Sequence, residues 1–169
     1  MTPASRRTCM QPERPAGQAE GRSRRTLLLL PLLALAAPLA AATPTRIEVW
    51  KAPTCGCCKD WIAHLQANGF VAVPHDDGND AARRRLGMPM RHGSCHTALV
   101  DGYVIEGHVP AREIRRLLSE RPRALGLAVP AMPVGSPGMD GPAYGGRKDP
   151  YDVLLVARDG TASIYRSYR

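Results

Sequence analysis

Arg46-Ile47-Glu48-Val49-Trp50-Lys51-Ala52-Pro53-Thr54-Cys55-Gly56-Cys57-Cys58-Lys59-Asp60-Trp61-Ile62 begins as a strand and ends as a helix. Arg46 to Trp50 alternates polar and apolar residues, the period of a half-buried strand, and Pro53 interrupts it. From Cys58 to Asn68 the apolar residues Trp61, Ile62 and Leu65 return at helical spacing. Asn68-Gly69 closes that helix, because Gly is favoured just past a helix C-terminus. Three cysteines, Cys55, Cys57 and Cys58, therefore stand at the junction of a strand and a helix, with two of them in the first helical turn.

Reading outward, Phe70 to Pro74 is a second strand, and Asp76 to Asn79 is a polar loop. Ala81 to Leu86 is a short helix that Asn79 or Asp80 can cap. Met88 to His96 is a loop carrying Cys95. Thr97 to Val100 and Tyr103 to Glu106 flank Asp101-Gly102, a strong hairpin signal, and Pro110 opens a helix to Glu120 with Ile114, Leu117 and Leu118 on one face. Strand, helix, strand, helix, hairpin, helix is the layout of an α/β thioredoxin-like domain. In that layout the loop before the hairpin returns to the first helix, so Cys95 is expected beside Cys55, Cys57 and Cys58. The tail is an extension of this unit. Leu125 to Gly146 is dense in Pro and Gly, which predicts a surface loop and excludes a long helix or a central strand. Tyr151 to Ala157 and Thr161 to Tyr165, split by Arg158-Asp159-Gly160, predict a final hairpin.

Residues 1–42 read as an export leader. Arg22, Arg24 and Arg25 precede an uncharged apolar run, Leu27 to Ala42, which ends in the small residues Ala40-Ala41-Ala42. The run is short for a membrane span, so no stable span is expected after cleavage. Ser23-Arg24-Arg25-Thr26-Leu27-Leu28 also resembles a twin-arginine signal. The 43–169 segment is then the working domain, with 125–169 as its extension, in a periplasmic setting. Six of the 23 Lys and Arg and two of the 15 Asp and Glu fall within the leader, leaving 17 against 13, a net charge near +4. That mild balance, with no basic stripe interleaved with aromatics, gives no case for nucleic acid. Arg83-Arg84-Arg85 and Arg112, Arg115 and Arg116 read as solvated helix faces.

Cleavage also removes Cys9 and leaves four cysteines. An oxidising compartment favours disulfides. Three cysteines within four residues, however, cannot each find a separate distant partner. Thiolates are soft ligands that select Cu(I), Zn(II) or iron-sulfur clusters. Bridging sulfurs let several Cu(I) ions share a few cysteines, so a compact nest of four suits a small multinuclear copper cluster. A structural zinc site usually brings two well-spaced pairs, and adjacent Cys57 and Cys58 are awkward for one tetrahedron. Cys55-Gly56-Cys57-Cys58 is also a CxxC, so a thiol-disulfide oxidoreductase using Cys55 and Cys58 remains an alternative, as does a structural zinc interaction module.

Thr54-Cys55-Gly56-Cys57-Cys58, Ser94-Cys95-His96-Thr97-Ala98, Ile105-Glu106-Gly107-His108-Val109-Pro110-Ala111 and Gly126-Leu127-Ala128-Val129-Pro130-Ala131-Met132-Pro133 together resemble the CopG-type family of periplasmic copper-resistance proteins, first defined only as a domain of unknown function. The resemblance spans most of residues 46–165 and departs at Ala131, where Gly is expected. It implies a thioredoxin-like fold, copper held by cysteines, and a role in copper tolerance with possible redox cycling of the metal. A periplasmic copper chaperone or exporter is the partner such a role calls for.

The metal ligands expected are Cys55, Cys57, Cys58 and Cys95, with His96 the best further donor and Met132 and His108 behind it. His92 is placed near the same end. His64 and His75 read as structural, Trp50 and Trp61 as core or pocket wall, and Glu106 as a strand-end charge. Met88, Met90, Met132 and Met139 are soft thioethers in loops, suited either to packing or to guiding Cu(I).

Overall fold

The computed structural model describes residues 44–169; the leader read at 1–42 lies outside them. The chain runs β1 (Thr45–Lys51), α1 (Gly56–Ala67), β2 (Phe70–His75), α2 (Asp80–Arg85), β3 (His96–Val100), β4 (Tyr103–Glu106), α3 (Ala111–Glu120), β5 (Gly126–Ala128), β6 (Tyr151–Val156) and β7 (Ala162–Tyr168). It is a mixed α/β fold in which all seven strands join one sheet, in the order β2-β1-β3-β4-β5-β6-β7. β1 pairs parallel with β2 and antiparallel with β3, and β4 pairs antiparallel with β3 and parallel with β5.

The alternation in β1 does what a half-buried strand requires: Ile47 and Val49 are fully buried while Glu48 and Trp50 face partly to water. α1 lays Trp61, Ile62 and Leu65 onto the same core, and α3 adds Ile114 and Leu117. Asp101 and Gly102 both take positive φ, 47° and 83°, the type I′ geometry whose twist matches the flanking strands.

Two expectations need correction. The Pro- and Gly-rich tail does supply a central strand, because β5 lies between β4 and β6. Its three residues fall before the first proline of the segment, so every ladder donor is intact. The second concerns Arg83. It is not on a solvated face but 3% exposed, with its guanidinium turned in toward Glu106. Arg112 and Arg116 do lie at the surface, over the rings of Tyr168 and Tyr165.

Candidate metal centre

The register of the sheet brings the cysteines together. β1 and β3 run antiparallel with Lys51 opposite His96, so the end of one strand adjoins the start of the other. Cys55 follows β1 as the N-cap of α1, Cys57 and Cys58 lie in its first turn, and Cys95 immediately precedes β3. No side chain caps α1, so its first N–H groups and positive dipole end face the cysteine region. All four sulfurs lie within 4.8 Å of one another. Cys55 Sγ is 3.6 Å from Cys57 Sγ, and Cys57 Sγ is 3.8 Å from Cys95 Sγ. Cys55 and Cys58 are joined as a disulfide with Cα atoms 5.4 Å apart, while Cys57 and Cys95 are free thiols.

Two imidazoles complete the group. His108 Nε2 lies 3.1 Å and His96 Nδ1 3.3 Å from Cys95 Sγ, and both rings are fully buried. His108 Nδ1 sits 2.8 Å from the carbonyl oxygen of Pro137, which can only accept. The proton is therefore on Nδ1, and the lone pair of Nε2 faces the sulfur. Burial lowers the pKa of both histidines, and His108 lowers that of His96 further, so both are held in the neutral form that binds metals. His96 Nε2 has no hydrogen-bond partner, and Trp61 packs against the ring at 4.2 Å between centroids. His108 is thus as well placed as His96, although the sequence ranks it lower.

Burial, reinforced by the neighbouring Cys57 sulfur, pushes the Cys95 thiol up to about 12. In metal-free, unreduced protein Cys95 should therefore remain a thiol where an ordinary cysteine, with its pKa near 8.5, is already ionised. Alkylation of Cys95 by iodoacetamide, followed by peptide mass spectrometry, should keep climbing about tenfold per pH unit from roughly pH 8 to 10, since rate follows thiolate fraction. A plateau near pH 9 would contradict this.

The loop carrying Cys95 is held by a buried charge network that the sequence reading does not contain. Glu106 is fully buried and accepts from Arg83 Nε at 2.9 Å, Ser94 N at 2.7 Å and the Thr97 hydroxyl at 2.6 Å. Arg83 also donates to the Ser94 carbonyl, and Asn79, which makes no helix cap, donates to the same carbonyl at 3.1 Å. Both backbone groups of Ser94, next to Cys95, are thereby fixed. Glu106 ends a strand in which every residue is buried.

The tail closes the other side. The Ser94 hydroxyl donates to the carbonyl of Ala131, a residue at φ 59°, the left-handed backbone that suits the Gly expected there. Gly138, at φ 85°, packs so tightly on α1 that a Cβ would lie 2.6 Å from the Cys57 carbonyl oxygen.

The remaining candidates have varied surroundings. Met132 and Met90 are 48% and 64% exposed, and Met88 packs in a small core with Val104, Ala128 and Val156. Met139 Sδ accepts from the Tyr144 hydroxyl at 3.3 Å. The ring of His92 faces the carbonyl of Gly160. His64 accepts from the Ala111 N–H at the start of α3, and His75 pairs with Glu48 and stacks on Trp50, both structural as expected.

Known proteins resemble this chain in sequence and fold. A family described as "Protein of unknown function, DUF411" matches residues 92–139, a span running from His92 through Cys95, Glu106 and His108 to Met139. Among solved structures, "Copper resistance protein copG- Form 2" is 48% identical, with a TM-score of 0.70, over 75% of this chain and 100% of that one. "Copper resistance protein copG- Form 1" is 49% identical, with a TM-score of 0.69, over 75% of this chain and 98% of that one. No curated protein sequence matches. Identity near one half, over 98–100% of each solved chain, leaves one conclusion: this chain belongs to the CopG family of copper resistance proteins.

Proposed function

We propose that this protein binds Cu(I) on Cys55, Cys57, Cys58 and Cys95, with His96 and His108 as flanking donors, and protects an exported compartment from copper. The observation that carries the reading is the approach of all four sulfurs to within 4.8 Å, beside two neutral imidazoles. That donor set fits copper: thiolates are the soft ligands Cu(I) selects, and sulfurs this close can bridge more than one ion. Opening the Cys55–Cys58 bridge makes all four available. The residues present do the rest. The first turn of α1 stabilises sulfur anions, Pro137 orients His108, and the Glu106–Arg83 pair fixes the Cys95 loop.

The order β2-β1-β3-β4, with β1 and β2 parallel, supports a thioredoxin-like core. The apolar run at 27–42 supports export to the periplasm, and among the described residues no helix is long and apolar enough to cross a membrane. A periplasmic chaperone or exporter would receive the copper. A second reading is favoured by the bridge itself: Cys55–Cys58 is a CxxC disulfide at a helix start, the reactive pair of a thiol-disulfide oxidoreductase.

Reduced protein offered Cu(I) and Zn(II) together under anaerobic conditions separates these readings. More than one copper per chain by elemental analysis is expected, falling by at least half in Cys95→Ser. One zinc and no copper would remove the copper reading. Insulin reduction that survives Cys95→Ser but not Cys55→Ser or Cys58→Ser would favour the oxidoreductase.

A further inference from the structure

We infer that, while Cys55 and Cys58 are bridged, Cys95, His96 and His108 form a separate site for one divalent ion of borderline softness, of which Zn(II) is the probe. In this state two of the four sulfurs are tied up in a disulfide and are no longer thiolate ligands. What remains is not a smaller copper nest but a different donor set. One sulfur and two imidazole nitrogens lie within 4.8 Å of one another, with both rings fully buried and Cys95 partly so. Three protein ligands, with the fourth position left to another donor, is the pattern of zinc sites that are not purely structural. Here the fourth donor is Cys57 or water. Cys57 Sγ stands 3.8 Å from Cys95 Sγ, about the edge expected between two sulfurs on a tetrahedral ion with bonds of ~2.3 Å.

The histidines carry the features of ligands held ready. His108 donates its far nitrogen to a backbone carbonyl, the outer contact that fixes a metal-binding imidazole in tautomer and orientation. His96 is fully buried, and its Nδ1 already faces the Cys95 sulfur at 3.3 Å, in position to share an ion with it. Imidazole with a single thiolate is a harder set than four thiolates, so it favours a divalent ion over Cu(I).

The site itself does not depend on the copper reading. Joined to that reading, it makes metal choice a function of the redox state of one bridge. Oxidised protein holds one divalent ion on sulfur and nitrogen, and reduced protein holds Cu(I) on sulfur. The two forms interconvert by thiol-disulfide exchange with a dithiol, which becomes a disulfide as Cys55 and Cys58 each gain one hydrogen.

The test uses the full chain carrying Cys9→Ser, so that Cys9 adds no ligand, with the Cys55–Cys58 bridge verified by peptide mapping and no reductant present. Zn(II) alone is titrated against a chromophoric chelator. One Zn(II) per bridged chain is expected, with affinity at least a hundredfold weaker in His108→Ala and in His96→Ala. X-ray absorption of the zinc-loaded, bridged protein needs no variant and should give two imidazole nitrogens with one or two sulfurs. No zinc bound by the bridged form, or a shell without imidazole, overturns the inference. Copper loading of the reduced form is a separate arm, so failure of the copper reading would show there while the zinc result stands alone.

Discussion

Glu106→Ala should lower the free energy of unfolding by about 3–5 kcal/mol, the loss typical of removing one partner from a buried ion pair. Glu106 is fully buried, and each of its polar neighbours is a donor: Arg83, Ser94 N–H and the Thr97 hydroxyl. Burial pushes its carboxyl above the ordinary value, although each of these donors pulls the other way and favours the carboxylate. Alanine would leave Arg83, 3% exposed, with only Asp80 to balance its charge, and would strand two more donors. For a domain of this size the loss corresponds to a fall in Tm on the order of 10–20 °C. Urea unfolding measures it. Glu106→Gln keeps the shape but turns an amide N–H toward a donor, so a smaller loss of roughly 1–3 kcal/mol is expected. A change below about 1 kcal/mol in the alanine variant would mean that the network does not hold the Cys95 loop, because an unpaired buried arginine cannot be that cheap.

That network marks where reading the sequence stops. The β1–α1 junction, the Asp101-Gly102 turn and the apolar face of α3 are written in local patterns, and each stands where the patterns put it. The meeting of Cys95 with the other cysteines was legible too, because the element order alone implies that β3 returns beside β1. Arg83 and Glu106 were not. Each looks like an ordinary surface charge in its own segment, and only the packing of α2 against the end of β4 turns two exposed charges into one buried pair. His108 was undervalued for a similar reason. Its tautomer depends on the Pro137 carbonyl, 29 residues away in a segment with no periodicity to read. In the tail, proline and glycine density correctly marked irregular backbone from Pro130 onward, but averaging over the whole stretch hid three residues that pair on both sides.

Gly126→Ala tests that hidden strand and should be among the most damaging single-methyl additions in the chain. A Cβ at Gly126 would lie 1.7 Å from the carbonyl oxygen of Val104 and 2.6 Å from its carbonyl carbon. Both are backbone atoms of the paired strand β4, so no rotamer change relieves the overlap and the two strands must separate. Overpacking of this kind costs ~3 kcal/mol or more, at or above the upper end of the usual range. The damage should also reach the metal centre. β5 leads directly into Val129, whose N–H donates to the Glu106 carbonyl, and into Ala131, which receives the Ser94 hydroxyl. Displacing β5 therefore pulls on both sides of the Cys95 loop. Urea unfolding should report the stability loss, and copper content after reductive loading should fall with it. Gly141→Ala is the control: it lies in the same tail at φ −70° with open space around it, so a change within about ±0.5 kcal/mol is expected. Equal, small effects at both positions would mean that β4 and β5 do not pair as closely as this, and that the tail is an appendage to the sheet rather than part of it.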